Sequence, residues 1–316
     1  MATTLTNINP NDPNMHGYYQ FANLCAGTYK VSIDNSQPAL AGFSPTTPNA
    51  PSSTTSNDSN PNPATVVLPA NNSSDQTTDF GYIFCNLEFI GGIDLGKAST
   101  GAVIGLANTN IINSNVTIVG DEYVSQGGTI SNMAPSTVTG NVFQFAARQY
   151  PGPGKLAGSL IINPALLMQV DNDALSASAA AKALRPTQTF GSITKATTIF
   201  GNGGQNVIRI NGDIKKNLTL SGSANDTFII NVTGTLTLGG SDAIALSGGV
   251  TANNVLVNFS GTGGTISTHV GNVINGTMLA PTYSFDLDGV FDGSIIGGGS
   301  AITFKSGAKV NQRACP

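Results

Sequence analysis

Residues 254–281, NVLVNFSGTGGTISTHVGNVINGTMLAP, decide how most of the chain is read. Short apolar steps (VLVNF, TIS, TML) alternate with turns built from Gly and Asn. The same texture runs upstream through NVIRING, NLTLSGS, FIINVTG, TLTLGGS and AIALSGG. Downstream it continues through SIIGGGS, AITFKSG and AKVNQ. Steps this short and this quasi-regular predict a β-solenoid, in which each coil buries its inward side chains on the next. Asn suits the turns because it tolerates left-handed backbone and its amide can ladder with a neighbour. Further upstream, LGKASTGAVIGLANTNIINSNVTIVGDEYVSQGGTISN repeats the pattern from about residue 94 onward.

One segment breaks it. NPALLMQVDNDALSASAAAKALRP places Asn163 as N-cap and Pro164 at the first helical position. Leu167, Val170, Ala174, Ala177, Ala181 and Leu184 recur at helical spacing. Pro186 ends the run by restricting Arg185. The expectation is one helix, about 164–185, flanking the solenoid.

The first quarter reads differently. Tyr19 and Phe21, then Tyr29, Val31 and Ile33, alternate as two strands around a turn at Gly27. Ser44–Pro63, SPTTPNAPSSTTSNDSNPNP, cannot bury apolar surface and reads as a long exposed loop. ATVVLPA and QTTDFGYIFC supply two more strands.

Composition narrows the function. Charged residues make up 9% of the 316, with 13 basic against 17 acidic, so no basic stripe follows a phosphate backbone and nucleic acid is not an expected partner. No apolar run reaches the ~18 residues of a membrane span, and no apolar leader follows Met1. The many small polar residues still look extracellular, so a leader is expected to have been removed, or Met1 to be an added start. His16 and His269 are isolated, and Cys25, Cys85 and Cys315 lack metal-ligand spacing. In an oxidising compartment Cys25 and Cys85 are candidates to bridge the first domain, which leaves Cys315 odd.

Two resemblances follow from the quoted residues. YYQFANLCAGTYKVSI with ATVVLPANNSSDQTTDFGYIF resembles the second half of a Cna B-type, SdrD B-like repeat. The match rests on Tyr19, Phe21, Leu24, Gly27, Thr28, Tyr29, Val31 and Asp79 to Tyr82. It implies a small immunoglobulin-like sandwich of bacterial surface proteins. That family's opening strands and acidic loop have no counterpart here, so no calcium ligand carries over, and either the missing strands precede Met1 or a sheet edge is expected to lie open to another chain's strand. LGKASTGAVIGLANTNI, the Ala-rich helix, NGTMLAP and DGSIIGGGSAITFKSGAKVN resemble ice-binding-like β-helix domains and bacterial choice-of-anchor A secreted proteins. That resemblance implies an irregular three-faced β-helix, secreted and often surface-attached. The expected architecture is therefore all-β: a partial sandwich over 1–87, then an irregular solenoid with one helix over 88–316.

Candidate chemistry is sparse. GGIDLGKAS approaches a phosphate-binding loop through Gly91, Gly96 and Lys97, but Ala98 stands where a hydroxyl is needed. DLDGVFDG brings Asp286, Asp288 and Asp292 together as a calcium candidate, against the plainer reading of a strand and turn. Thr219, Thr235 and Thr237 are candidates for a flat ice-facing array, joined by Thr265 and Thr268, with Lys215, Lys216 and Arg209 expected to spoil flatness. No hydrolase elbow is present and Glu occurs only at 88 and 122, so the chain reads as a non-enzyme without cofactor.

The leading expectation is an extracellular bacterial structural or adhesive protein. It would pair with copies of itself by strand exchange at the open edge marked by Tyr19, Phe21, Tyr29, Val31 and Ile33, building filaments. The rival is a monomeric module for ice, glycan or a host surface. The two differ in whether the purified protein polymerises.

Overall fold

The structure, a computed structural model, describes residues 2–10, 12–35, 37–40, 43–49, 54, 59–84 and 87–314. The chain forms two compact units, Met1–Asn86 and Leu87–Cys315.

Among its described residues the first unit holds three antiparallel two-stranded pairs. Asn7–Asn9 pairs with Asp12–Tyr18, Gly27–Val31 with Ala64–Leu68, and Phe43–Pro45 with Tyr82–Phe84. In ATVVL, Ala64, Val66 and Leu68 are buried while Val67 points out and is 60% exposed, the period-two alternation of a half-buried strand. Tyr29 lies opposite Val66 and Val31 opposite Ala64.

The expected hairpin between the Tyr19–Phe21 segment and Tyr29–Ile33 does not form. Tyr19 and Phe21 lie outside the strands. The Tyr19 ring packs edge-on against Phe21 at 6.3 Å and beside Phe80 at 6.5 Å, and its hydroxyl donates to Thr78 O at 2.6 Å. Ile33 is beyond the strand too, and the Asn62 side chain takes up both its backbone N–H and its C=O. Pairing went instead to the segment offering the better alternation, since Ala64, Val66 and Leu68 give Tyr29 and Val31 an apolar surface to share.

The second unit is a parallel β-solenoid with three faces, as the short apolar steps predict. The coils build sheets of five, nine and ten strands. Isolated bridges (Ile193–Ile214–Leu236 and Thr237–Ser267) carry the five-stranded face through further coils. Many of the turns between faces carry Gly or Asn in the left-handed region. Asn108 and Asn115 hold φ of 64° and 53°. At Gly298 an added Cβ would sit 1.9 Å from Pro281 O, so adjoining coils approach too closely for any side chain.

The coils are not stacked in chain order. Val103–Gly105, in the first coil, pairs with Glu122–Val124 on one side and with Ile295–Gly297, near the end of the chain, on the other. The stack grows outward to Leu160–Ile162, the helix Pro164–Ala183 (α1) leads away, and stacking restarts at Gln188–Phe190 and works back to the middle. Pro151, Pro153 and Lys155 lie in the coil that ends at Leu160–Ile162. Prolines withhold N–H donors and a lysine disfavours stacking, so they guard that end against edge pairing.

Helix α1 begins as its sequence dictates, with Asn163 Oδ1 accepting from Leu166 N at 3.1 Å and proline in the first turn. It stops at Ala183, two residues short of the expected 185, because Leu184 is already extended (φ −63°, ψ 141°) ahead of Pro186. Leu167, Val170, Ala174, Ala177 and Ala181 are buried against Ile229, Leu256, Leu279 and Ile296 of the ten-stranded sheet. Alanine on this face lets the helix lie close. Polar bolts fix it there: Asn231 Nδ2 donates to Ala181 O, Asn258 Nδ2 to Asn231 Oδ1 and Ser178 Oγ to Asn258 Oδ1, all at 2.7–2.8 Å. The lumen between the faces is filled by Ile208, Phe228, Val257, Phe285, Phe304 and Val310.

Candidate binding face

With α1 packed over the ten-stranded sheet, the five-stranded face is one of the two that the helix leaves uncovered. Its inward side chains, Leu236, Ile266, Phe285, Ile302, Ile111 and Ile130, are all buried. The residues between them must therefore point out. Register aligns these into two columns. One runs Thr237, Ser267, Asp286, Thr303, Ile112 and Ser131. The other runs Thr235, Thr265, Ser284, Ala301, Asn110 and Thr129. Coils repeat about every 4.8 Å, and alternate residues on one strand lie roughly 6.7 Å apart. The result is a two-dimensional grid of mostly small hydroxylated side chains.

Several are held in place. Thr129 Oγ1 donates to Asn110 Oδ1 at 2.9 Å, and the Ser284 and Ser300 hydroxyls share a bond of 3.0 Å. Thr235 N donates to Asp213 Oδ1 at 2.9 Å. That bond, helped by Lys215 at 2.9 Å, lowers the Asp213 carboxyl below its ordinary range. Within the grid the charge is the Asp286–Lys305 pair, 2.8 Å apart and partly exposed.

Of the sequence candidates, Thr235, Thr237 and Thr265 meet on this face. Thr219 does not: it lies on the nine-stranded sheet, between Thr198 and Ala245. Thr268 is buried and donates to Asp288 O. Of the cations expected to roughen the array, Lys215 borders it, Lys216 pairs with Asp242 and Arg209 sits in the ten-stranded sheet. Ser267, Ser284, Thr303, Thr129 and Ser131 escaped the sequence reading, because only the coil register brings them together.

The calcium candidate fails. Asp286 pairs with Lys305 on the five-stranded face, while Asp292, on the nine-stranded sheet, accepts from Asn311 Nδ2. Asp288 Oδ1 is spent on Gly289 N. Among the described residues no cluster of three metal-ligating side chains occurs. The phosphate-loop reading fails as well: Gly96–Ser99 is a single 3-10 turn, and Asp173 of α1 occupies Lys97 N at 2.7 Å. Cys25 is a free, exposed thiol, and its expected partner Cys85 lies outside the described residues.

Residues 86–300, more than half of the chain, match the family described as "Putative Ice-binding-like adhesive domain". The chain belongs to this ice-binding-like adhesive family. Residues 1–82 match the SdrD B-like domain. Among solved structures the adhesive domain is similar to an ice-binding protein from an Antarctic biological consortium (20% identity, TM-score 0.51, 70% of this chain and 90% of that one). It is similar to one from the Antarctic ascomycete Antarctomyces psychrotrophicus (22%, 0.51, 71% and 99%). The DUF3494 domain of Shewanella frigidimarina ice-binding protein 1 is similar too (17%, 0.53, 70% and 98%). At these identities the likeness establishes the fold. No curated protein matches the sequence. Among the described residues no helix is long and apolar enough to cross a membrane.

Proposed function

We propose that the adhesive domain works outside the cell, as a bacterial surface protein, by laying its five-stranded face on an extended, repeating surface. The carrying observation is the two-column grid running from Thr237 to Ser131 and from Thr235 to Thr129. A flat grid of short hydroxyls meets a periodic partner at many points, each weak, with little side-chain entropy to lose. Ice, bound by the similar proteins of Antarctic origin, and a crystalline glycan both present such periodicity. The test is adsorption of the purified chain to growing ice and to insoluble polysaccharide. Retention by either, lost on Thr265→Arg with Ser284→Arg and kept on Thr198→Arg, is expected. A wild-type chain that adsorbs to no extended surface overturns the reading.

A second reading is self-assembly through the SdrD B-like unit. What favours it is the Gly27–Val31/Ala64–Leu68 ribbon, whose outer edges have no strand partner among the described residues, with Val67 exposed beside one of them. An unpaired edge is a template for a strand from another copy. Head-to-tail exchange of this kind builds filaments. Electron microscopy with light scattering tests it: filaments in the native material support it, and monomers alone refute it.

A further inference from the structure

Glu122 is completely buried inside the lumen, one of only two glutamates in the chain. It sits in the Glu122–Val124 strand between the apolar residues Val103 and Val142 of adjoining coils. Its carboxyl meets the Asn113 amide at 2.9 and 3.3 Å. Asn113 lies in register with Asn132 of the next coil, and Asn132 Nδ2 donates to the Tyr150 hydroxyl one coil further on.

The donors and acceptors of this cluster do not balance. Asn113 Oδ1 and Asn132 Oδ1 are both buried without a hydrogen-bond partner. The carboxyl adds two more acceptor oxygens, and among the described residues no salt bridge reaches it. Tyr150 is the ionisable group whose field it shares, and burial followed by Glu122 pushes that phenol up to about 12, so it stays neutral. Asp121, next in the chain, spends its carboxylate on Asn141 N. Ser136 Oγ donates to Asn113 O rather than to either orphaned oxygen. Orphaned buried acceptors are costly. One proton and one amide turn remove both.

We infer that Glu122 is held as the neutral acid and donates its proton to Asn113 Oδ1, with the Asn113 amide turned so that Nδ2 supplies Asn132 Oδ1. The chain Glu122→Asn113→Asn132→Tyr150 then runs through three coils and fills both orphaned amide oxygens. The 2.9 Å separation suits an O–H···O bond. Burial acts in the same direction and raises the carboxyl to about 8. The chain is a proton lock on the outer coils: above that pH the proton leaves to solvent hydroxide, the lumen gains a charge with no counter-ion, and the coils stacked on Asn132 lose their tie.

Because the chain has two glutamates, 13C labelling at the Glu side-chain carboxyl yields two resonances to follow by NMR against pH. Glu88, partly exposed beside Lys97, serves as the internal reference. The expected result is that the Glu122 resonance stays at the acid position past pH 7. Glu122→Gln assigns that resonance by deleting it, and Glu88→Gln leaves it alone in the spectrum should the first variant not fold. A Glu122 resonance that leaves the acid position below about pH 5 overturns the proposal.

Discussion

The lumen carboxyl makes a quantitative prediction about stability. A carboxyl raised on folding binds its proton more tightly in the native state than in the unfolded chain. Stability from this group is therefore complete below pH 4.5, is lost progressively as pH climbs to about 8, and is level above that. The rise from 4.5 to about 8 corresponds to roughly 5 kcal/mol across the window. Glu122→Gln keeps the shape and a carbonyl acceptor and cannot ionise. Its stability relative to wild type should be small near pH 4.5 and grow to about 5 kcal/mol by pH 8–9. At roughly 2–4 °C per kcal/mol for a unit of this size, that is a melting difference of about 10–20 °C. Thermal melts of both proteins from pH 4 to 9 check it. Other titrating groups, such as Asp213, contribute equally to both curves and cancel in the difference. A difference that does not change with pH, or a wild type that melts higher at pH 8, refutes the reasoning.

Other substitutions probe the remaining steps. Gly298→Ala forces a methyl against Pro281 O and should cost roughly 2–4 kcal/mol in a denaturant titration. Asn258→Leu strips the bonds to Asn231 and Ser178 and should cost about 3 kcal/mol, with faster proteolysis near the C-terminal half of α1. Asn163→Ala removes the helix N-cap and should lower stability by about 1 kcal/mol, read by thermal melting. Asp286→Ser with Lys305→Ser removes a partly exposed ion pair at under about 1 kcal/mol, and should strengthen adsorption to ice by making the face uniform.

The sequence disclosed the kind of structure better than the arrangement of its parts. Helix α1 was readable because Asn163, Pro164 and the buried Leu–Ala stripe are local signals, satisfied within twenty residues. The solenoid was readable from apolar steps and Gly–Asn turns, each again local. Register was not. Steps of three to six residues separated by unequal turns leave open which residue faces which, so Thr219 was grouped with Thr235 although they lie on different sheets. Asp286 and Asp292 are six apart in sequence and belong to different faces for the same reason. In the sequence Glu122 is only one of two scattered glutamates, and only the Val103 and Val142 coils on either side reveal its burial. The false hairpin at Tyr19 had the same cause at longer range, since the competing strand lies more than thirty residues away.

The order of the coils bears on how the binding face can fail. Its columns draw on residues 110–131, 235–267 and 284–303, so no contiguous part of the chain contains the face. The seam lies where Asn110–Asn113 pairs with Ala301–Phe304, beside the Val103–Gly105 and Ile295–Gly297 junction. Both halves of the solenoid must be stacked before the seam closes, and the seam must close before the grid is continuous. Such distant pairing slows folding, because loop-closure entropy is lost before the contacts form. It also couples the parts: loosening the outer coils on one side of the seam shortens both columns from Ser131 and Thr129 inward. The proton lock at Glu122 sits on that side, in the coils that carry Asn113 and Asn132, so raising the pH should weaken adsorption before the rest of the solenoid unfolds.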